Sequence, residues 1–296
     1  KTISNLSQIK LHLELNKKFE SLLDSMFVEN QKLIESNGYK WGELNSVYIG
    51  GGTPSLWGSR GARYLESKLS NYDIKLSQNV EFTLEVNPGS WDIESLSAWN
   101  SIGVNRFSLG IQSINPTFIK LLDRVHSIDD VYETLDHFNK INANFSVDFM
   151  LGLPHSQKYS RDILSELKEI LSYNPSHISL YILTVKDHYI HHGALPDEEW
   201  IEQEYLSVSD FLKGEGYQHY EVSNFALKGH ESFHNLEYWK MNSVAALGPS
   251  ATGFLAGKNL RYKWKTQRSE FKTEPLSEEE FRLEQVYMGL RINIGL

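Results

Sequence analysis

Cysteine is absent from this chain, and proline is scarce, with 8 among 296 residues. Within the sequence, this excludes disulfide bonds, thiolate catalysis and cysteine-ligated zinc or iron–sulfur centres. Uncharged apolar runs of about 18 residues and a secretory signal pattern are also missing, so we expect no transmembrane segment and a cytoplasmic location. Positive charge is not in excess, since 29 Lys and Arg face 38 Asp and Glu. The net charge of -9 predicts no general attraction to nucleic acid.

What the sequence does contain is an alternation of short strand-type runs with segments of helical period. Strands are predicted at residues 9–15, 46–50, 79–86, 106–111, 145–150, 177–183 and 217–223. Such alternation indicates parallel strands joined by crossover helices. Polar residues recur at the ends of several strands, which favours an α/β barrel, complete or not, over an open sheet. We predict a barrel over residues 1–228 and an extension of loops and a charged helical tail over 229–296.

Three consecutive glycines at 50–52 end the second predicted strand, and Thr53 follows. Backbone without side chains lets a ligand approach closely, which we favour over the alternative that the glycines only make a tight turn. Glu85 ends the third strand, where it either faces the barrel mouth or is a solvated acid. Asp148 stands inside an apolar run, where an acid is costly to bury unless it is paired or hydrogen-bonded. It is therefore either a ligand contact or a structural acid satisfied by backbone amides.

Two further polar residues belong to the same predicted rim. Gln112 follows the fourth strand and Arg124 lies a little downstream. A carboxylate can hold ribose hydroxyls or an amino group, and Gln and Arg can hold a carboxylate. The combination predicts a site for a small zwitterionic or nucleoside-like ligand.

Six sequence blocks occur in an order that is typical of one enzyme family. They are GGGTPS, EVNPG, GVNRFSLGIQS, DFMLGLP, YEVSNFA and HNLEYW. Together they resemble the radical S-adenosylmethionine proteins of the oxygen-independent coproporphyrinogen III oxidase family, from about residue 46 to residue 296. The blocks YEVSNFALKGHESFHNLEYW and GLRINIGL are more similar to the HemW group of haem chaperones than to the oxidases.

The resemblance implies an incomplete (β/α)6 barrel that carries a [4Fe-4S] cluster and S-adenosylmethionine. It implies that Gly51, Gly52 and Thr53 meet the methionine part of the cofactor. It further implies that Glu85, Gln112 and Arg124 contact the cofactor's polar groups and that Asp148 reaches toward the ribose. Radical chemistry would then be one-electron reduction of S-adenosylmethionine. In the HemW group the expected partners are haem or porphyrin and a haem-acceptor protein.

The sequence departs from the family pattern at the cluster. The family carries a CxxxCxxC loop after its first strand, whose thiolates bind three irons. Here only residues 16–17 separate the first predicted strand from its helix, and the printed sequence ends at GLRINIGL, where the family carries a further C-terminal domain. Either the printed sequence omits segments, which we favour, or the chain is a paralogue that cannot hold the cluster.

The block HNLEYW offers His234 as a candidate haem ligand, with aromatic neighbours that could pack against a macrocycle. The alternative is a histidine and two aromatics that close the open side of the barrel. A metal site at His188, His191, His192 and Asp197 is disfavoured, because adjacent histidines point apart. Three hypotheses stay open: a haem-trafficking protein, an oxidative decarboxylase of coproporphyrinogen III, and a cluster-less binding barrel. Whether the chain is an enzyme stays undecided at this point.

Overall fold

The computed structural model describes residues 2–186 and 188–293. Its main feature is a seven-stranded sheet with the strand order β1-β2-β3-β4-β5-β7-β6. The strands are β1 (Glu43–Ile49), β2 (Lys75–Val86), β3 (Arg106–Gln112), β4 (Phe145–Leu151), β5 (His177–Ile182), β6 (Gln218–Glu221) and β7 (Asn224–Ala226). Strands β2 to β5 are parallel, and the sheet curls into a half-barrel. The predicted incomplete α/β barrel is therefore confirmed.

Nine α-helices are found among the described residues. They are α1 (Thr2–Ser36), α2 (Gly58–Asn71), α3 (Ile93–Ser101), α4 (Pro116–Leu121), α5 (Ile128–Lys140), α6 (Ile163–Leu171), α7 (Glu198–Gly214), α8 (Phe233–Trp239) and α9 (Glu278–Gly289). Several begin at an acid or a serine whose side chain accepts a bond from a backbone N–H of the first turn, as Ser127 does for α5. In the described part of the chain, no helix is both long enough and apolar enough to cross a bilayer.

The predicted first strand, at residues 9–15, is wrong, because this segment lies within the 35-residue helix α1. Alternation over seven residues is a weak signal when the following segment, at 19–34, has a clear helical period. Helix formation is cooperative, and most of the residues at 9–15 are good helix formers, so the helix extends through them.

Two other segments differ from the sequence-based expectation. Residues 217–223 were predicted as one strand but form β6 and the turn into β7, and β7 pairs antiparallel with both β5 and β6. The C-terminal extension is not only loops and a helix. It contains an antiparallel three-stranded sheet of β8 (Thr252–Leu255), β9 (Leu260–Trp264) and β10 (Phe271–Pro275). These strands are only four or five residues long, which leaves little alternation to detect.

The chain divides into two compact units, each of which is discontinuous in sequence. The barrel unit comprises residues 46–62 and 80–233, and the second unit comprises 1–45, 63–79 and 234–296. The predicted domain boundary between residues 228 and 229, which would separate the barrel from the C-terminal extension, stays a prediction. Within the second unit, α1 packs on the C-terminal segment, because Asn30 Nδ2 donates to the Tyr262 hydroxyl at 2.9 Å and to the Ala246 carbonyl at 3.1 Å.

Within the barrel unit, the outer face of the parallel strands is the main apolar core. Side chains on this face are almost completely buried; they include Phe82, Leu84, Phe107, Leu109, Phe145, Val147, Phe149 and Ile178. Phe138 of α5 covers part of this face, with its ring centroid 5.4 Å from that of Phe145 and 5.0 Å from that of Phe107. Because side chains alternate along a strand, the residues between these apolar ones point to the inner face.

Candidate functional site

The inner face of the half-barrel is polar, and the strand register brings its polar residues side by side. Glu85 of β2 pairs with Ser108 of β3, and Asp148 of β4 pairs with Ser179 of β5. Gly110 of β3 lies beside Asp148. Since these strands are parallel, their carboxyl ends meet at one edge. The candidate site lies at this edge, and we call it the strand-end site: residues 50–53, Glu85, Gln112, Arg124 and Asp148.

The Glu85 carboxylate is fixed by two donors from the end of β1. The Gly51 N–H donates to Oε2 at 2.8 Å, and the Tyr48 hydroxyl donates to Oε1 at 2.8 Å. Burial, with the Glu85 charge beside it, raises the pKa of Tyr48 far above its usual range, so the phenol stays protonated as a donor. Glu85 is thus an oriented carboxylate, which excludes the reading of a freely solvated acid.

The three glycines serve two different needs. A Cβ on Gly50 would stand 2.6 Å from Glu85 Oε1 and 2.6 Å from Tyr48 Cε1, so only glycine allows this close approach. Gly51 and Gly52 have φ values of +82° and +67°, which L side chains rarely adopt. A Cβ built on either would meet nothing within 4 Å. The backbone there borders open space, which is where a ligand could contact it.

Asp148 is the most perturbed acid of the site. Burial raises the pKa of Asp148 to about 6, the nearby charge of Glu85 acts in the same direction, and hydrogen bonds from Ser179 and Ser108 oppose both. The Ser108 hydroxyl lies 3.2 and 3.3 Å from the two carboxylate oxygens. A partly exposed carboxyl with such a pKa can accept a hydrogen bond from a ligand hydroxyl near neutral pH.

Gln112 ends β3 in an unusual conformation. Its φ is +71°, and the register between β3 and β4 shifts between Gly110 and Gln112. The residue is 6% exposed, and its buried Oε1 has no hydrogen-bond partner. A buried amide oxygen without a partner is costly. A bound donor would relieve this cost, so the residue fits a ligand-binding role.

The remaining predicted residues of the rim lie in the same unit. Thr53 Oγ1 accepts a bond from Asn87 Nδ2 at 3.0 Å, which ties the glycine loop to the end of β2. Arg124 is half-buried. Burial lowers the pKa of Arg124, and the charge of Asp148 opposes this shift, so the two charged groups lie within electrostatic range of each other.

His234, the candidate haem ligand, belongs to the second unit. It lies in the first turn of α8 and is half-buried. In the same unit the Arg291 guanidinium lies 4.2 Å from the centroid of the Trp239 ring. The aromatic residues of the HNLEYW block therefore have a cation among their neighbours.

Sequence reasoning missed Tyr48, Ser108 and Ser179. The sequence does contain a signal for each of them. Tyr48 stands two residues before the glycines. Each serine occupies a polar position in an alternating strand, as Glu85 and Asp148 do in theirs. Serine and tyrosine are common in strands that have no site, so the pattern alone did not single them out.

The residues of this chain do not fit an iron–sulfur cluster, because the usual ligands are missing from its sequence. None of the 296 residues is a cysteine, and thiolates are the usual ligands of such clusters. Over residues 2–186 and 188–293, no group of three or more His, Asp or Glu side chains could hold a metal ion. Asp197, one of the four residues weighed for metal binding, instead accepts a bond from the Trp200 N–H at the start of α7.

The residues present do fit S-adenosylmethionine. The oriented Glu85 carboxylate, the bare backbone at 51–52 and the unpartnered Gln112 oxygen are the features that its amino-acid end requires.

Comparison with known proteins defines the class of this fold. The Radical SAM superfamily model matches residues 28–167. The structure of the Escherichia coli coproporphyrinogen III oxidase HemN superposes with a TM-score of 0.78 at 17% identity, covering 94% of this chain and 69% of that one. The fold is that of a radical S-adenosylmethionine protein.

The particular family follows from closer relatives. The heme chaperone HemW of Lactococcus lactis is 33% identical over 285 residues, which cover 90% of this chain and 74% of that protein. The heme chaperone HemW of Buchnera aphidicola, from Schizaphis graminum, is 35% identical over 214 residues. A mitochondrial radical S-adenosyl methionine domain-containing protein 1 of Bos taurus is 34% identical over 297 residues. The chain belongs to the HemW family. It spans 56% of the Buchnera relative and 66% of the bovine one.

Proposed function

We propose that this chain is the cofactor-binding part of a haem-trafficking protein and that its strand-end site binds S-adenosylmethionine. The observation that carries the proposal is the Glu85 carboxylate, held by Gly51 N–H and Tyr48 beside open backbone at residues 51–52. A fixed carboxylate next to exposed backbone groups suits the ammonium and carboxylate of an amino acid.

The other residues take complementary roles in this proposal. Glu85 and the unpartnered Gln112 Oε1 accept bonds from the ammonium group of the methionine moiety, while Arg124 holds its carboxylate. Asp148 accepts a bond from a ribose hydroxyl. The bound cofactor would supply a sulfonium centre that can be reduced by one electron. No thiolate is available in this chain to hold the cluster that donates the electron, so we derive no radical step for these residues.

Haem is the proposed cargo, because relatives of 30–35% identity carry the name heme chaperone. His234 is the proposed axial ligand. Oxidative decarboxylation of coproporphyrinogen is not favoured, since the oxidase structure is only 17% identical and shows the fold alone. A binding barrel without any haem function is not favoured either, because the relatives of 30–35% identity are named heme chaperones.

The cofactor half of the proposal is tested by calorimetric titration of S-adenosylmethionine into this chain. We expect saturable binding with one site, weakened about tenfold or more in Glu85→Gln, because one of the charge-assisted contacts is lost. Glu94→Gln, an exposed position on α3, is the matched control and should bind like the native chain. Absence of binding to the native chain would contradict the proposal.

The haem half is tested separately by the absorption spectrum during haem titration. We expect a shifted Soret band that His234→Ala reduces and that His188→Ala, at an exposed loop position, leaves unchanged. An identical spectrum in native protein and His234→Ala would show that His234 is not the ligand.

A further inference from the structure

A second cluster of charged residues lies behind the strand-end site, within the barrel unit. It consists of Arg161, in the segment before α6, Glu166 on α6 and Glu204 on α7, and we call it the Arg161 cluster. The Arg161 side chain is completely buried, and those of Glu166 and Glu204 are 9% and 4% exposed. Arg161 Nε donates to Glu166 Oε1 at 2.8 Å, and its Nη1 lies 3.6 Å from Glu204 Oε1.

Burial of three charged side chains costs desolvation free energy that an apolar core does not incur. Apolar residues of similar volume are often as stabilising or more so, whereas removal of one partner leaves an uncompensated charge. The Arg161 guanidinium also lies over two aromatic rings, at 5.2 Å from the centroids of both Phe118 and Phe149. This environment makes each remaining hydrogen bond of the cluster strong and directional.

The second carboxylate oxygen of Glu166 accepts hydrogen bonds from the two residues that follow Gln112. Glu166 Oε2 accepts from the Ser113 hydroxyl at 2.5 Å and from the Ile114 N–H at 2.9 Å. Gln112 itself has a left-handed φ of +71°. A non-glycine residue in that conformation persists only where its surroundings hold it, and Glu166 holds the two residues next to it.

The other arm of the cluster holds the end of β4. Arg161 Nη1 donates to the Met150 carbonyl at 2.6 Å, and Glu204 Oε2 accepts from the Gly152 N–H at 2.8 Å. Asp148 is two residues before Met150 on the same strand. The cluster therefore grips the two strand ends that present Gln112 and Asp148.

We propose that Glu166, held by Arg161, is a positioning residue that fixes the peptide after Gln112 and so directs the Gln112 amide into the cofactor site. This inference rests on the proposed function. Within the described part of the chain, the Glu166 side chain makes its hydrogen bonds to Ser113, Ile114 and Arg161 and none to a residue of the strand-end site. Its effect on the cofactor therefore passes through Gln112.

The test is a double-mutant cycle on the affinity for S-adenosylmethionine. Glu166→Gln keeps the shape and removes the charge, and we expect it to raise Kd about tenfold. In a Gln112→Ala background the same change should add little, because the group that it positions is already gone. In a Glu85→Gln background it should still raise Kd about tenfold. Glu169→Gln, an exposed site on the same helix, is the matched control and should change neither value.

A second readout does not depend on the cofactor. Amide hydrogen exchange at Ile114 should become about tenfold faster in Glu166→Gln and stay native in Glu169→Gln. If native protein binds no S-adenosylmethionine but Ile114 exchange accelerates, the proposed function fails and the grip on the strand end stands. An equal loss of affinity in both backgrounds, or unchanged Ile114 exchange, would overturn the inference.

Discussion

The two faces of the parallel sheet have opposite compositions although they alternate along the same strands. The outer face carries Leu109, Val147 and Phe149, all with no exposed surface. The inner face carries ionisable and hydroxyl side chains, among them Arg106, Asp148 and His177. His177 Nδ1 is buried without a hydrogen-bond partner, and burial lowers the pKa of His177 well below its usual value.

The difference separates stability from function within single strands. Burial of the outer face stabilises the fold, whereas a buried polar group lowers stability unless all its bonds are made. Two such incomplete groups are His177 Nδ1 on the inner face and Gln112 Oε1 at the end of β3. We therefore expect changes on the outer face to act on unfolding and changes on the inner face to act mainly on ligand binding and pH dependence.

The largest effect is expected from Phe145→Ala on the outer face. The Phe145 side chain is 1% exposed and packs on Phe138, so its truncation leaves a cavity. We expect a loss of about 3–5 kcal/mol in the free energy of unfolding, measured by urea denaturation. The control is Ile93→Ala at a 66% exposed site, which should change stability by less than about 0.5 kcal/mol. A similar loss in both variants would break the comparison.

Next in size is the pH dependence caused by Asp148 on the inner face. Because burial raises the pKa of Asp148 to about 6 from 3.8, the unfolded chain releases this proton first as pH rises. Asp148 therefore lowers the free energy of unfolding progressively as the pH rises from about 4 to about 6. Above about pH 6 its contribution stays constant. Relative to native protein, Asp148→Asn should gain at most about 3 kcal/mol between pH 4 and pH 7, because the shift covers about two pKa units.

A second variant, Glu85→Gln, tests the same assignment in the same series of denaturation experiments at several pH values. Glu85→Gln removes a charge that raises the pKa of Asp148, so it should move the upper end of this pH window downward. A native protein and an Asp148→Asn variant with parallel pH profiles would refute the assignment.

A smaller effect is expected from Tyr48→Phe, which removes one hydrogen bond to Glu85 and leaves the ring in place. Hydrogen bonds to charged groups contribute about 1.5 kcal/mol or more, and the free energy of unfolding should fall by about that amount. Tyr287→Phe, at a 63% exposed position, is the matched control. Equal stabilities of Tyr48→Phe and native protein would mean that the bond adds nothing to the inner face.

The smallest effect is expected from Ser127→Ala, which belongs to neither face. Ser127 forms a capping box with Asp130 at the start of α5, and loss of an N-cap costs about 1 kcal/mol. Ser277→Ala removes the same kind of cap from α9 in the second unit and should have a similar cost. If Ser127→Ala lowered the free energy of unfolding by well over about 2 kcal/mol, Ser127 would stabilise more than the start of α5.

The sequence predicted the parallel strands well because their outer face is apolar in strict alternation. Strand β3 was expected at 106–111 and observed at Arg106–Gln112, and β4 was expected at 145–150 and observed at Phe145–Leu151. The segment at 9–15 failed because alternation was short and helix formation is cooperative. Partners distant in sequence were out of reach, since no local pattern links Glu166 to Ser113 or Tyr48 to Glu85.

The glycine run at 50–52 also constrains which substitutions this chain can accept. Position 50 is closed by the volume of its neighbours, so a larger residue there would require a concerted change at Glu85 or Tyr48. Positions 51 and 52 are closed by backbone conformation, although the space above them is open. Asparagine, which tolerates a left-handed backbone, is therefore the most acceptable replacement at 51 or 52, whereas at 50 the Cβ of any residue would meet Glu85 and Tyr48.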